Sequence, residues 1–380
     1  MRRPLILLGA GLLLAGAFAV GYRLSEQNRA TTPVAIPSVV DEVRNALAAR
    51  YYRPVPDSVL QLGSVHEIIS ALKDPYTAYL APPDYQLVRQ ETASSYTGIG
   101  VSVLPSPNGY VVVSIRPGPA QRAGVRVGDT IVRVGNAKTK GLSVTKALSH
   151  ILGPRGTMVG LGLTRGGHNL NLRVRRETIR APVVQARLLS YAGRRWGDVR
   201  LSAFRIGAAV VLNREIRRLE RAGVQGFVLD LRQNPGGLLD QAVAVSSLFL
   251  DRGVVVSLVG RHEPHEVFRA IGGTATRLPV VVLVDRYSAS SSEIVAAALR
   301  DHHRATVVGE RTFGKALVQS IDPLDNGAAL ELTIARYYTP SGEDISNVGV
   351  APQIHAADDP RTPSDDALAT ALRVLARPTS

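Results

Sequence analysis

Two short stretches of the chain hold side chains suited to nucleophilic chemistry. The first, Tyr287-Ser288-Ala289-Ser290-Ser291-Ser292-Glu293, lies between an apolar run and a helical pattern. A serine on a sharp turn at a helix start exposes its hydroxyl near the positive end of the helix, which favours developing negative charge. The competing reading is a plain helix cap, which Ser291 or Ser292 could supply to a helix beginning near Glu293. The second stretch is Val308-Gly309-Glu310-Arg311-Thr312-Phe313-Gly314-Lys315-Ala316-Leu317-Val318-Gln319, in which Lys315 sits among apolar neighbours in a chain with only five lysines. Burial disfavours an ammonium, so this setting predicts a lowered pKa and a neutral amine able to take a proton from a serine hydroxyl. Gln319 is close enough in sequence to orient that amine through its amide oxygen. The alternative is a lysine whose head group snorkels to water.

A third segment, Asp230-Leu231-Arg232-Gln233-Asn234-Pro235-Gly236-Gly237, reads as a strand ending in a glycine-bearing turn. Glycines let backbone N–H groups face a ligand without side-chain interference, although a simple strand-to-helix turn has the same composition. Gly309 to Lys315 also matches the phosphate-loop pattern G-x-x-x-x-G-K. Ala316 replaces the hydroxyl that should bind Mg²⁺, and the aspartate-ended strand 226–230 precedes the loop rather than following it, so nucleotide binding is disfavoured. In His262-Glu263-Pro264-His265-Glu266 the proline and the spacing exclude a zinc-binding helix, and the segment reads as a surface loop. His302 and His303, after the serine-led helix, are the alternative bases.

Strand- and helix-like patterns alternate around these segments. Residues 224–231, 279–285 and 328–338 read as strands, while 238–250, the stretch from Ser292 onward and 365–376 read as helices, an alternation that implies an α/β core. Upstream, Val39, Val43 and Leu47 recur at helical spacing after Ser38 and open a small helical region. From about residue 97 the composition shifts to short Val- and Gly-rich strands, with one helical turn at Pro119-Ala120-Gln121-Arg122-Ala123-Gly124 and a second short helix capped by Ser143.

Composition narrows the classes further. The 380 residues suit two or three domains, and the absence of cysteine removes thiol catalysis, cysteine-ligated zinc and iron–sulfur clusters. The net charge of +14 reads as an arginine-rich solvated surface with the excess spread along the chain, and no nucleic-acid partner is expected. Arg2 and Arg3 precede an apolar stretch from Leu5 to Val20, an export signal. Ala17-Phe18-Ala19 offers a cleavage site, but the stretch is also long enough to span a bilayer, and a retained anchor is slightly favoured. The paired arginines would stay in the cytoplasm, so the rest of the chain is expected outside it, in the periplasm or cell envelope.

Tyr96-Thr97-Gly98-Ile99-Gly100-Val101 and Ala120-Gln121-Arg122-Ala123-Gly124-Val125-Arg126-Val127-Gly128-Asp129 resemble a PDZ domain. Such a module takes a peptide as an added strand and holds its terminal carboxylate on loop N–H groups, and here Gly98, Ile99 and Gly100 are the candidate loop. With Asp74-Pro75-Tyr76-Thr77-Ala78-Tyr79-Leu80, the three chemical segments and Tyr337-Tyr338-Thr339-Pro340-Ser341-Gly342, the chain resembles the carboxyl-terminal processing protease family, serine endopeptidases with a Ser–Lys dyad. The resemblance implies Ser290 as nucleophile, Lys315 as general base, Gln319 as its orienting partner, and the backbone N–H groups of Gly236 and Ser291 as oxyanion donors. The crowded serines keep Ser288 and Ser292 open as nucleophiles. Ser291, Asp285 and Ala316 depart from the family's usual alanine, asparagine and glycine.

The implied architecture is a multidomain α/β chain: a signal peptide or membrane anchor (1–23), a linker (24–37), a helical region (38–95), a PDZ-like β-rich module (96–177) inserted before an α/β Ser–Lys protease core (178–358), and a C-terminal tail and helix (359–380). No metal or cofactor is implied. The expected partners are proteins with apolar C-termini and the membrane, and a homo-oligomer is compatible with the pattern. Two other functions are weighed against this one: a catalytically silent tail-binding scaffold and a P-loop enzyme.

Overall fold

The strand Phe227–Asp230 is buried along its whole length, as expected for a run with no polar alternation. Phe227 and Leu229 enter one apolar core while Val228 enters another, the two-residue period of a strand covered on both faces. This strand is central to a six-stranded sheet in the order Val184–Tyr191, Arg194–Leu201, Phe227–Asp230, Val280–Val284, Ala305–Gly309 and Ile354–His355. Only the first pair is antiparallel. Helices Ala208–Arg221, Leu239–Ser247 and Ser291–Asp301 share the larger core, and the C-terminal helix Asp366–Leu375 covers the other face. The computed structural model describes residues 38–91, 96–179, 183–261, 265–357 and 365–377.

The helical region is not a self-contained unit. Val43, Leu47, Tyr51, Ile68 and Leu72 close a core with Leu324, Ala328, Leu330 and Leu332, nearly 300 residues downstream. The short strand Ala78–Leu80 pairs antiparallel with Ala329–Tyr338, which also pairs with Leu317–Pro323 and Val254–Gly260 in a second sheet. The helical region and the segment beyond the inserted module thus share a core.

Between these segments lies the inserted module. Its two ends pair with each other in a two-stranded clasp, Tyr96–Gly98 antiparallel to Glu177–Ile179, and the module is further tied to the rest of the chain by Val144 N–H on Pro75 O, the Lys146–Asp84 pair and the packing of Leu104 and Val113 on Ala289. Inside it a sheet in the order Val101–Ser106, Gly109–Ile115, Thr130–Val134, Met158–Arg165, His168–Arg175 packs against helix Val144–Ile151, which Ser143 caps through Lys146 N–H. The hairpin Met158–Arg175 is an element the turn signals alone did not reveal.

Two sequence expectations need restating. The proposed anchor and linker (1–37) fall outside the described residues, and no helix among the described residues is long and apolar enough to cross a membrane. The positive charge is not evenly spread: residues 96–179 hold twelve Lys and Arg against two Asp and Glu, a net +10 of the chain's +14. Periodicity had shown only the absence of a run, because the basic residues alternate with apolar ones along strands.

Candidate active site

The three chemical segments leave the carboxyl ends of neighbouring parallel strands, Phe227–Asp230, Val280–Val284 and Ala305–Gly309. Loops at that end of an α/β sheet converge on one crevice. The first loop is pinned by Asn234, fully buried, whose Nδ2 donates to Leu201 O at 2.8 Å and whose carbonyl accepts from Ala289 N–H and Ser292 Oγ. Asp230 and Asp365 both grip the Arg232 guanidinium at 2.7–3.0 Å, which ties the loop to the cap of the C-terminal helix.

The second loop sets the serines apart. Ser288 Oγ donates to Leu231 O, Ser291 Oγ to Gly237 O and Ser292 Oγ to Asn234 O, each at 2.9 Å, and all three residues are buried. The hydroxyl of half-buried Ser290 donates to no acceptor among the described residues. Ser290 is the N-cap of helix Ser291–Asp301, at φ 54° and ψ −116°, a conformation that costs a non-glycine residue strain. Neither Ser291 nor Ser292 is the cap; they fill the first turn. Asp285 holds this turn by accepting from Gln233 N–H, Tyr287 N–H and Ser288 Oγ, a task an asparagine oxygen performs equally, and burial pushes its carboxyl above the usual range.

Gly236 approaches closest. A Cβ there would stand 2.8 Å from Ser290 Cβ and 3.0 Å from Ser291 N, and its φ of 102° also excludes other residues. Its own N–H donates to Asn234 Oδ1 at 2.9 Å, so of the two expected oxyanion donors only Ser291 N–H is without a hydrogen-bond partner among the described residues.

The third loop carries Lys315 into the same place. Glu293, fully buried, accepts Ser290 N–H at 2.7 Å and Lys315 N–H at 2.9 Å on Oε2, and Gly314 N–H and Thr312 Oγ1 on Oε1. Burial pushes this carboxyl up although four donors favour its charged form. The Tyr337 hydroxyl bridges the same two residues: it donates to the Lys315 carbonyl and has the Ser290 carbonyl within reach at 3.2 Å. Neither residue was read as part of the site from sequence; the Ser-x-x-Glu spacing of a capping box was the available signal for Glu293.

Lys315 Nζ lies 4.5 Å from the Tyr76 ring centroid. Tyr76 is placed there by Asp74, whose carboxylate accepts Tyr76 N–H, Thr77 Oγ1, Thr333 Oγ1 and the Tyr51 hydroxyl. Although one edge of Lys315 faces the cleft, enclosure of its amine dominates: burial lowers its pKa below 10.5 against the attraction of Glu331, Asp74 and Glu293. No hydrogen bond joins Lys315 Nζ to Ser290 Oγ. Gln319 lies on the strand that follows, beside a register shift, with its Nε2 buried and unpartnered.

A cleft of about 330 Å³ runs from this centre into the inserted module, lined by Phe204, Gly236, Leu238 and Lys315 on one side and by strand 101–104, Val144 and Leu148 on the other. Immediately before strand 101–106, Gly98 ends the clasp strand, Ile99 is buried, and Gly100 has φ 83°. The decoys fall away. A strand rather than a helix follows Lys315, which is incompatible with a phosphate loop. His302 caps the far end of the serine-led helix with Nε2 2.7 Å from Val254 O. His262, Glu263 and Pro264 lie outside the described residues, and Glu266 opens a short strand rather than a loop. Among the described residues no group of three or more His, Asp or Glu is arranged to hold a metal ion.

Comparison with known proteins identifies the family. Residues 195–356 match the model of peptidase family S41 and residues 97–175 that of the PDZ domain. Carboxy-terminal processing protease CtpA of Bacillus subtilis is 35% identical over 80% of this chain and 66% of its own length. A carboxyl-terminal-processing protease of Picosynechococcus is 34% identical over 78% of this chain and 73% of its own. The solved photosystem II D1 C-terminal processing protease superposes with a TM-score of 0.73 at 29% identity, covering 89% of this chain and 96% of that one. The chain therefore belongs to peptidase family S41, the carboxyl-terminal processing serine proteases, and carries a PDZ domain.

Proposed function

We propose that this protein is an exported endopeptidase that takes apolar C-terminal tails of proteins in its PDZ domain and hydrolyses them with Ser290 and Lys315. The observation that carries the assignment is the shared carboxylate: Glu293 fixes the backbones of Ser290 and Lys315 on one oxygen, with Ser290 the one serine of its cluster whose hydroxyl donates to no acceptor among the described residues. Neutral Lys315 accepts the Ser290 proton, and Ser290 Oγ attacks the scissile carbonyl carbon. The resulting oxyanion is held by Ser291 N–H, joined by Gly236 N–H once it exchanges Asn234 Oδ1 for the substrate oxygen. Collapse expels the amine product, which takes the proton from Lys315, and water then hydrolyses the acyl-enzyme. Gln319 orients the amine. For the first step Lys315 must leave the face of Tyr76 and meet Ser290, a tightening expected when substrate fills the cleft.

The cleft shared by strand 101–104 and Lys315 supports a second part of the reading, that the PDZ domain gates access to the site; the family resemblance adds that Gly98, Ile99 and Gly100, just before that strand, receive the tail carboxylate. Export rests on the apolar segment after Arg2 and Arg3. The experiment incubates the chain from residue 38, and its Ser290→Ala and Lys315→Ala variants, with an unfolded protein bearing an apolar C-terminus, and identifies the products by mass spectrometry. Cleavage by the parent alone supports the dyad. Binding without cleavage by the parent favours a silent scaffold, and cleavage by Ser290→Ala removes Ser290 as nucleophile.

A further inference from the structure

Four of the twelve basic residues of the PDZ domain share one face of its sheet. Of its two acidic residues, Asp129 is buried on Arg165 and Glu177 is paired with Arg122, so neither neutralises the rest. On the outer face of the sheet, directly opposed residues form rows: Lys138, Arg133, Gly162 and Asn171 in one, Gly160 and Arg173 in the next, Met158 and Arg175 in the third. The alternate residues of these strands, among them Val159, Leu161 and Val174, fill the core behind. Arg133 lies across Gly162 to reach Asn171 Oδ1, and a Cβ at Gly160 would meet nothing within 4 Å. The face is thus flat, open and free of acid, with Met158 46% exposed at its rim.

We infer that this outer sheet face docks the protein on an anionic lipid bilayer. An array of cations with no acidic partner on one sheet face, beside one protruding apolar side chain, matches a surface of phosphate headgroups. The face has no aromatic platform for stacking bases, and its charges project from a flat sheet rather than along a groove that would seat a peptide. The expected export of the chain also places it where a bilayer is available. The inference does not depend on Ser290 or Lys315.

Residues 39–380 form one compact unit containing all the cores described above, so they can be tested without the amino-terminal segment. The test measures co-sedimentation of this fragment with phosphatidylcholine vesicles, plain or with about one-third phosphatidylglycerol, at low and high salt. Binding is expected to the mixed vesicles only and to fall with salt. Lys138, Arg173 and Arg175 are exposed, so the triple variant K138Q/R173Q/R175Q should keep its thermal midpoint and bind roughly a hundredfold more weakly, at about fivefold per charge. Equal binding by parent and variant, equal binding to plain vesicles, or a preference for duplex DNA or polyglutamate over vesicles at the same salt overturns the inference. Should the variant not fold, the parent decides the matter, because binding that survives high salt is not electrostatic docking.

Discussion

Ser290 N–H and Lys315 N–H donate to a single carboxylate oxygen, Glu293 Oε2, at 2.7 and 2.9 Å. Twenty-five positions separate the two residues in sequence, and one buried side chain sets their spacing. Replacing Glu293 by Gln keeps its shape, but an amide presents only one acceptor oxygen. Whichever way it turns, at least one backbone N–H is left buried and unpaired, at a cost of about 1–3 kcal/mol. The expected outcome for Glu293→Gln is a loss of that size in urea unfolding together with a fall in kcat of about a hundredfold or more at nearly constant KM. A variant with full kcat would show that the shared carboxylate is structural only.

The serine cluster makes a sharper discrimination. Ser288, Ser291 and Ser292 each donate to a backbone carbonyl, so alanine at any one should cost about 1 kcal/mol of stability and leave turnover within about tenfold of the parent. Ser290→Ala should abolish turnover. A serine-directed phosphonate should label the parent and the other three variants at Ser290, read by peptide mass spectrometry. Adduct on Ser288 or Ser292 would reassign the nucleophile.

Much of this site was legible in sequence because its chemistry depends on side-chain type. Ser290, Lys315 and Gln319 stand in motifs, and the alternation of apolar runs places their loops at strand ends. What sequence hid is contact between distant segments. Tyr76 reaches Lys315 only because Asp74 is satisfied by Tyr51 and Thr333, and no local pattern links residues 51, 74 and 333. The engagement of Gly236 N–H by Asn234 is equally invisible, since a glycine's letter carries no information about where its amide points.

Lys315 yields a pH prediction with a definite sign. Its folded pKa lies below the unfolded value near 10.5 because burial outweighs three nearby carboxylates. Between the two pKa values the unfolded chain binds more protons, so stability rises with pH through that window. Lys315→Met should therefore be more stable than the parent at pH 7, with the gap closing as pH approaches 10, measured by urea unfolding. Activity of the parent should rise with pH through the same lowered pKa. Tyr76→Ala admits water to the amine and should move that rise to higher pH, whereas Tyr76→Phe should not move it.

The C-terminal helix is expected to matter for turnover although it lies on the face of the sheet away from the serine-led helix. Asp365 caps that helix through Leu368 N–H and also grips Arg232, two residues before Asn234 in the first loop. Asp365→Ala loses a cap worth about 1 kcal/mol and, because its carboxylate is more than a third exposed, an ion pair worth no more than about 1 kcal/mol. Arg232→Met should be worse, at about 3–5 kcal/mol, because it leaves buried Asp230 uncompensated. If the link works by steadying the loop, Asp365→Ala should lower kcat even at temperatures well below its unfolding midpoint.

The clasp between Tyr96–Gly98 and Glu177–Ile179 allows a direct test of gating. Because the module enters and leaves through paired neighbouring strands, its removal need not pull the helical region from strand Ala329–Tyr338, with which it shares a core. A chain in which a short glycine linker replaces residues 99–176 should therefore still fold cooperatively, with a thermal midpoint lowered by the loss of Leu104 and Val113 from their cluster with Ala289 and of the Lys146–Asp84 pair. It loses the wall of the cleft formed by strand 101–104, Val144 and Leu148. If the PDZ domain selects tails and admits them to Ser290, this variant should cleave substrates with apolar and with charged C-termini at equal rates, where the parent prefers the apolar ones by tenfold or more, on the order of 1.4 kcal/mol. An unchanged preference would mean that selectivity resides in Phe204 and Leu238 on the protease side of the cleft.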